Sequence, residues 1–258
     1  MATIPRAALD YLTEEVNGLS ADAQSKVMQI LSGISWTPEN IADCRDIVID
    51  CLRIVMPTYT QLVAQACADF YDASRELSVG SALGAQALDG YDPELTDAAI
   101  RAGVKKVVDG KPIQVFNDFV LQRVDYELKR TSGYAMVQNA ALDPLRPRYA
   151  RVPTGAETCD FCLMLASRGF VYHSKANAGA VDHYHSSCDC RVVCGWTGTE
   201  FEGYDTQELY DRWQSAIDLK ASERSERKGT SESEERDAIM RAYGQAAKNA
   251  KRAGRSRA

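Results

Sequence analysis

The sequence predicts a mainly α-helical protein with an elongated helical N-terminal half, followed by a small α+β module. Apolar residues keep a helical period over most of residues 5–142, as in helices that bury one face. Three prolines and a glycine in residues 143–155 end that pattern, because both residue types interrupt helices. Short apolar runs of strand length follow before residue 196. Together these observations predict long helices first and a small mixed unit after them.

The longest predicted helix runs from Pro38 to about Ser78. This stretch has no glycine, and Pro57 is its only internal proline. Because a proline inside a helix removes a backbone hydrogen bond, we expect the helix to be kinked or split at Pro57. Unbroken, it would be about 60 Å long at 1.5 Å per residue. Such a length suits an elongated or partner-bound protein.

The other helices are bounded by recognisable turn and cap residues. Ser20 or Asp22 suits the cap of the second helix, and Asp92-Pro93 opens a later one, since these residue types are favoured where helices begin. Asp109-Gly110 marks a turn. The predicted helices are 5–19, 20–34, 93 to about 108, and 112 to about 142.

Strands and charged helices are predicted for the rest of the chain. The strand-like runs are 170–174, 181–185 and 191–196. Asp205-x-x-Glu208 has the pattern of a capping box and predicts a helix of about 15 residues. Residues 221–237 are highly charged and predict a solvated helix or linker. The resulting domains are a helical domain (1–142), a small module (143–200), and a charged C-terminal helix with a basic tail (201–258).

The composition narrows the class of protein. The hydrophobic fraction is 45% and the charged fraction 26%, as in ordinary globular domains. A net charge of −6 argues against a protein that coats DNA through overall positive charge, although a local basic patch stays open. No run approaches the roughly 18 apolar residues of a membrane span, and the first residues lack a signal-peptide core. We therefore expect no membrane partner and a reducing cytosol, where disulfides are disfavoured.

Cysteine and histidine are concentrated in residues 156–196, which hold five of the eight cysteines and all three histidines. The remaining cysteines, Cys44, Cys51 and Cys67, fall in a helical pattern and are expected to be small core residues. Within the cluster, Cys159-x-x-Cys162 is followed by His183-x-His185-x-x-Cys188-x-Cys190 and then by Cys194. A tetrahedral zinc site commonly takes a close pair of ligands from each of two segments. The spacing therefore predicts a zinc ion, with buried or free thiols as the alternative.

The predicted zinc is structural, and its ligand set stays open. Residues 150–200 contain few large apolar side chains, so the module would fold poorly on its core alone. Zinc binding supplies about 10 kcal/mol to such a unit. More donors are present than the four that zinc needs: Cys159, Cys162, His183, His185, Cys188, Cys190 and Cys194. We expect His173 to be a surface or strand residue.

Catalytic centres fit the cluster less well. Zinc deaminases need His-x-Glu before Pro-Cys-x-x-Cys, whereas here the histidines follow the cysteine pair, and the metalloprotease motif His-Glu-x-x-His is absent. Too many cysteines compete for the role of a thiol-protease nucleophile. Asp182-His183 is similar to metal-dependent nucleases of the HNH type, but the downstream asparagine and second histidine are not identifiable. We expect no enzyme and no catalytic residues, with a zinc-containing metal-dependent nuclease as the alternative.

The sequence around the cysteines resembles a known family. Four motifs occur in order: Arg151-Val152-Pro153-Thr154-Gly155, Cys159-x-x-Cys162, Ala166-Ser167-Arg168-Gly169 and His185-x-x-Cys188-x-Cys190. They closely resemble the phage Mu F-like minor head proteins, in the versions found in phages of actinobacteria. The match covers residues 148–196, about a fifth of the chain. The resemblance implies that the metal ligands are drawn from Cys159, Cys162, His185, Cys188 and Cys190, and it gives His173, His183 and Cys194 no firm counterpart.

The resemblance also implies a non-enzymatic virion component. Such proteins are incorporated in few copies during procapsid assembly and associate with the portal vertex, and some contact packaged DNA and influence its ejection. We therefore expect the portal protein or the major capsid protein as partner. We also expect assembly in the cytoplasm of the bacterial host and a final place in the inner head of the virion.

Two further sets of residues are candidates for binding anions. Residues 245–258 hold five basic residues and no acid, so the segment is either a solvated tail or an arm that contacts DNA phosphates. The basic residues are Lys248, Lys251, Arg252, Arg255 and Arg257. Arg151 and Arg168 are candidates for binding phosphate or an acidic partner, with local pairing to acids such as Asp160 or Asp189 as the alternative. Gly169 is expected in a tight turn.

Overall fold

The computed structural model describes residues 2–155, 158–171 and 190–255, with side chains described up to residue 245. The described part is mainly helical, which confirms the predicted class, and it carries two small two-stranded sheets. In chain order the elements are β1 (Ala2–Ile4), α1 (Arg6–Ser32), α2 (Ile41–Val79), α3 (Pro93–Gly103), α4 (Lys105–Val108), α5 (Ile113–Leu142), β2 (Arg148–Pro153), α6 (Asp160–Ala166), β3 (Cys190–Gly195), β4 (Thr199–Phe201), α7 (Thr206–Lys228) and α8 (Glu232–Arg255).

Helices α1, α2 and α5 pack against one another and form most of the helical core. The predicted apolar stripe of α1 is buried at Leu9, Leu12, Val16 and Val27, because residues three or four apart share one face of a helix. Ile30, which the same pattern places in the stripe, is 39% exposed. The helical period therefore predicts the buried face of α1, including Leu31 near its end, with the exception of Ile30.

Helix α1 is one continuous helix, so the predicted division between residues 19 and 20 is wrong. Gly18 lies inside it with open space around its Cα. Ser20 is not a cap residue, because its hydroxyl donates a hydrogen bond to Asp125 Oδ1 on α5 at 2.9 Å. A tertiary contact thus uses the side chain that the local sequence offers as a cap.

Helix α2 continues through Pro57. Of the two predicted alternatives, a kinked helix and a split helix, the split helix is therefore wrong. Its 39 residues correspond to about 58 Å at 1.5 Å per residue. Cys44, Cys51 and Cys67 are buried along it, as predicted for small core residues. Burial raises the pKa of the Cys67 thiol to about 11, so this thiol stays protonated at neutral pH.

Helix α2 is also long and apolar enough, by length and composition, to cross a membrane. Its best 18-residue window has a mean hydropathy of 1.3, and half of that window is buried inside the protein. The core helix of a soluble protein meets the same criteria. One such helix is therefore weak evidence for a membrane span. The prediction from apolar runs was that no segment of the chain would meet these criteria.

The segment between α2 and α3 is fixed by two side chains. Asp72 on α2 accepts hydrogen bonds from the backbone N–H groups of residues 83, 84 and 85 at 2.8–3.1 Å. Asn139 on α5 pairs with the backbone of Gln86 in both directions, at 2.8 and 2.9 Å. The segment is a loop that is anchored to α2, which precedes it, and to α5.

The two sheets connect distant parts of the chain. Strands β2 and β3 are antiparallel, with Arg148 opposite Gly195 and Pro153 opposite Cys190. Strands β1 and β4 are parallel, with Ala2 opposite Thr199. Strand β3 confirms the prediction for 191–196. Residues 170 and 171 form no strand, so that prediction is wrong at its start, and residues 172–174 and 181–185 lie outside the described residues.

The charged C-terminal region folds back on itself as two helices. Asp205 caps α7 by accepting hydrogen bonds from the N–H groups of Gln207 and Glu208 at 2.8 and 3.1 Å, as its motif predicts. The helix is longer than predicted, with 23 residues. It ends at Gly229, whose φ of 69° is left-handed, a conformation that glycine adopts without a steric cost. Residues 221–237, for which a solvated helix or a linker was predicted, are thus mostly helix.

One hydrophobic core joins residues from the helical region, both sheets and α7. Ile4, Leu128, Val193 and Ile217 all belong to this single cluster. The predicted domain boundaries at residues 142 and 200 stay predictions. The same holds for the predicted elongation of the N-terminal half. The α+β module has the predicted mixture of elements, and it buries its apolar residues against α5 and α7 as well as against itself.

Candidate functional site

The Cys159-x-x-Cys162 motif forms the start of helix α6. Cys159 is its N-cap residue, and the Cys159 sulfur accepts a hydrogen bond from the backbone N–H of Cys162 at 3.4 Å. Cys162 lies in the first turn and is fully buried. The Cys-x-x-Cys spacing therefore places both sulfurs at one end of a seven-residue helix.

The β2–β3 sheet brings a third cysteine to this helix. Cys190 begins β3 opposite Pro153, and its Sγ lies 3.2 Å from Cys162 Sγ. A disulfide bond has a sulfur–sulfur distance near 2.05 Å, so the two sulfurs are in contact without a disulfide bond between them. The structure thus joins two of the predicted ligands across 28 residues of sequence.

Arg151 lies beside these thiols, and the prediction that it is available for phosphate or an acidic partner is wrong. Its side chain is fully buried, and Nη1 donates a hydrogen bond to Cys190 Sγ at 3.1 Å. A buried guanidinium is costly unless it has partners, and a nearby positive charge favours the thiolate form of cysteine. Arg151 therefore belongs to the interior of the cysteine cluster.

Asp160, one of the acids expected to pair with Arg151 or Arg168, has partners on α7 and α8. Its carboxylate forms an ion pair with Lys220 on α7 and accepts a hydrogen bond from the hydroxyl of Tyr243 on α8 at 3.1 Å. These contacts tie α6 to the C-terminal helical pair. Arg168 is exposed, and Gly169 has a φ of 68°, which confirms the predicted tight turn.

Cys194 is separated from the cysteine cluster. It lies four residues along β3, where its thiol donates a hydrogen bond to the backbone oxygen of Met136 on α5 at 3.5 Å. Burial, followed by the negative charge of Asp143, raises its pKa well above the ordinary value. A thiol held protonated against a helix backbone has the features of a core residue, which favours that role for Cys194 over the role of a metal ligand.

Several predicted site residues lie outside the described residues. These are His173, His183, His185 and Cys188, and the same holds for the side chains of the basic residues Lys248, Lys251, Arg252, Arg255 and Arg257. Among the residues that the structure does describe, no group of three or more His, Cys, Asp or Glu side chains could hold a metal ion. The predicted zinc module is therefore unconfirmed, and its ligand set stays a prediction.

A buried polar network at the other end of β3 was not predicted. Asp143, at the end of α5, accepts hydrogen bonds from Tyr71, Arg75 and Trp196. Asp143 and Arg75 form an ion pair whose side chains are 0% and 8% exposed. The sequence carries no local signal for this network, because its members are separated by up to 125 positions. Each member is also an ordinary residue type for its own segment.

The fold and this cluster define a class of protein: a helical body with a small α+β module whose buried thiols converge from a helix and a strand. The family model described as VG15 protein matches residues 3–216, more than four fifths of the chain. The chain belongs to the VG15 protein family. This membership suggests a phage-encoded protein and lends no support to the nuclease alternative. No curated protein and no solved structure matches the chain.

Proposed function

We propose that this protein is a minor head protein of a phage, a low-copy structural component that docks at the portal or the inner capsid surface. The observation that carries the proposal is the VG15 family match, which spans both the helical body and the α+β module. The motifs around Cys159 and Cys162 resemble the phage Mu F-like minor head proteins and support the finer assignment. The proposed partners are the portal protein and the major capsid protein.

Purified virions test this proposal directly. The phage that encodes the chain should carry it in a few copies per particle, measured by quantitative mass spectrometry against the major capsid protein. Particles gently opened to release DNA should keep the protein with the portal vertex. Presence in the infected-cell lysate together with absence from purified virions would contradict a structural role in the head.

We further propose that a structural zinc ion binds at the cysteine cluster. Two thiolates on one tetrahedral zinc lie about 3.8 Å apart for Zn–S bonds of about 2.3 Å, and Cys162 Sγ and Cys190 Sγ are 3.2 Å apart. A small movement of either side chain would accommodate the ion. Cys159 supplies a third thiol at the same helix end, and His185 or Cys188 completes the proposed set.

Arg151 fits a role outside the ligand set. Ligands of a metal ion are commonly held by hydrogen bonds from neighbouring groups. The bond from Arg151 Nη1 to Cys190 Sγ would stabilise a zinc-bound thiolate in that way. Zinc would supply folding free energy to the module and no chemical step.

Metal analysis separates the zinc proposal from its alternative of free thiols. The purified protein should contain about one zinc per chain. Cys162→Ser should lose this zinc, whereas Cys194→Ala, a change at a core thiol of the same sheet, should retain it. A protein that is isolated without metal and melts at the same temperature with and without a chelator would contradict the proposal.

Contact with packaged DNA through residues 245–258 is a separate proposal that rests on the five basic residues of this segment. Deletion of these residues should weaken DNA retention, and the difference should shrink as salt is added, since phosphate contacts release counterions. Equal retention with and without the segment would contradict it.

A further inference from the structure

A pocket of about 400 Å³ lies where the α5–β2 connection meets the β3–β4 turn. Its lining includes Arg146 and Arg148 from the first segment and Trp196, Thr197 and Gly198 from the second. None of its lining residues belongs to the cysteine cluster. The pocket is therefore a second candidate site, independent of the proposed zinc ion and of the proposed role in the phage head.

The pocket carries positive charge in a negatively charged protein. Among the lining residues that the structure describes, Arg146 and Arg148 are the charged ones, while the whole chain has a net charge of −6. Both arginines are exposed. Among the ion pairs of the described residues, neither has a carboxylate partner. Two guanidinium groups at one pocket repel each other unless an anion lies between them.

The backbone at Arg146 is held in an unusual conformation. Its φ is 47°, and among the described residues it is the only non-glycine residue with a positive φ. Two hydrogen bonds to Asp143 hold this conformation. Arg146 N–H donates to Asp143 O at 3.0 Å, and Leu145 N–H donates to Asp143 Oδ1 at 2.9 Å. Left-handed backbone is strained for residues other than glycine, and such strain concentrates at ligand-binding sites.

We propose that this pocket binds a phosphate group through Arg146 and Arg148. Each guanidinium presents a planar fork of N–H donors that matches phosphate or carboxylate. A carboxylate has two oxygens and one charge, so it offers few acceptors to two guanidinium forks. A phosphate that is free or linked through a single ester bond offers at least three such oxygens and up to two charges. The phosphate is free inorganic phosphate or the terminal phosphate of a nucleic acid, since both present these oxygens.

Titration calorimetry on the full chain tests the proposal, in phosphate-free buffer of low ionic strength. The probes are inorganic phosphate, a short single-stranded oligonucleotide with a 5′-terminal phosphate and an oligoglutamate peptide. Arg146→Gly and Arg148→Ala should each weaken binding of the phosphate-bearing probe by about tenfold or more, since hydrogen bonds to charged groups are the strong ones. Arg212→Ala, which removes an exposed arginine of α7, should leave the affinity unchanged.

Arg146→Gly also separates binding from folding. Glycine adopts a positive φ readily, so the variant should melt no lower than the parent while it loses phosphate affinity. Tighter binding of the oligonucleotide, with an affinity that falls as salt is added, would identify nucleic acid as the source of the phosphate. Binding of inorganic phosphate alone would identify the free anion.

Three results would overturn the proposal. The first is binding of oligoglutamate without binding of either phosphate-bearing probe, which would make the pocket a site for acidic protein segments. The second is phosphate binding that survives the combined Arg146→Gly and Arg148→Ala changes. The third is the absence of measurable binding to a parent protein that is folded by circular dichroism.

Discussion

Trp196 donates its indole N–H to Asp143 Oδ2 at 3.0 Å, and this bond ties the end of strand β3 to the end of helix α5. Tyr71 donates to the same carboxylate at 3.0 Å, and Arg75 donates at 2.8 Å. One buried aspartate therefore joins α2, α5 and the β2–β3 sheet. Since Asp143 is 1% exposed, its charge is compensated entirely by protein groups.

We predict that Asp143→Asn strongly destabilises the protein. Asparagine has the same shape, but it leaves the guanidinium of Arg75 buried without an opposite charge, and breaking such a pair costs about 3–5 kcal/mol. Urea unfolding followed by circular dichroism measures the change in the free energy of unfolding. Asp46→Asn is the matched control, because Asp46 pairs with Arg45 and Arg101 at the surface, where an ion pair is worth about 0–1 kcal/mol. Equal effects of the two changes would contradict the prediction.

The same carboxylate predicts a loss of stability in acid. Burial alone raises the pKa of Asp143, but hydrogen bonds from Arg75, the Leu145 N–H, Trp196 and Tyr71 outweigh it, so that the pKa lies below the ordinary 3.8. The native state thus binds this proton less readily than the unfolded chain does. The stabilisation is complete above the unfolded pKa and is lost as the pH falls through the lowered one.

We therefore expect the free energy of unfolding to fall more steeply in the parent than in Asp143→Asn below about pH 4. Urea titrations at several values from about pH 6 to about pH 2.5 measure both slopes. Asp46→Asn again provides the comparison for a carboxylate at the surface. Parallel curves for the parent and Asp143→Asn would show that another group governs the acid transition.

Two glycines should respond to alanine in opposite directions. Gly18 lies inside α1 with nothing within 4 Å of an added Cβ, so Gly18→Ala should stabilise the protein by about 0.5–1 kcal/mol through helix propensity. At Gly103 an added Cβ would lie 2.3 Å from the ring of Phe119. Gly103→Ala should therefore destabilise it by about 1–3 kcal/mol. Thermal unfolding of both variants checks the opposite signs, and a stabilising Gly103→Ala would contradict the packing of α3 on α5.

The short strand β1 should contribute to the core out of proportion to its three residues. Ile4 is fully buried while Thr3 is exposed. Ile4→Ala removes most of a buried side chain and should cost about 2–5 kcal/mol. Thr3→Ala in the same strand should change the free energy of unfolding by less than about 0.5 kcal/mol. Similar small effects of both changes in urea unfolding would mean that β1 is frayed in solution.

The helices were the most predictable part of the fold, because their signals are local. The apolar period of α2 and the caps Asp92 and Asp205 lie within a few residues of the structure that they specify. The division of α1 failed because the Ser20 hydroxyl bonds to Asp125, 105 positions away. Strand β1 was missed for a related reason, since three residues carry no period of their own and their partner is β4.

The cysteine cluster was predictable in its members and less so in its arrangement. The spacing singled out Cys159, Cys162 and Cys190; the structure brings the sulfurs of Cys162 and Cys190 into contact and places Cys159 at the start of α6. It could not separate Cys194, because Cys190 and Cys194 share one face of a strand and only the packing of α5 distinguishes them. Arg151 was misplaced because a charged residue is ordinarily exposed.

The parallel pairing of β1 with β4 has a consequence for biosynthesis. Residues 2–4 leave the ribosome before their partners, residues 199–201, which emerge only after nearly 200 more residues have been made. At about 5–20 residues per second, the apolar Ile4 waits for roughly 10–40 s before its partner strand exists. During that interval the nascent chain exposes an unpaired strand edge, so chaperone binding to residues 2–4 should be strongest before α7 is synthesised.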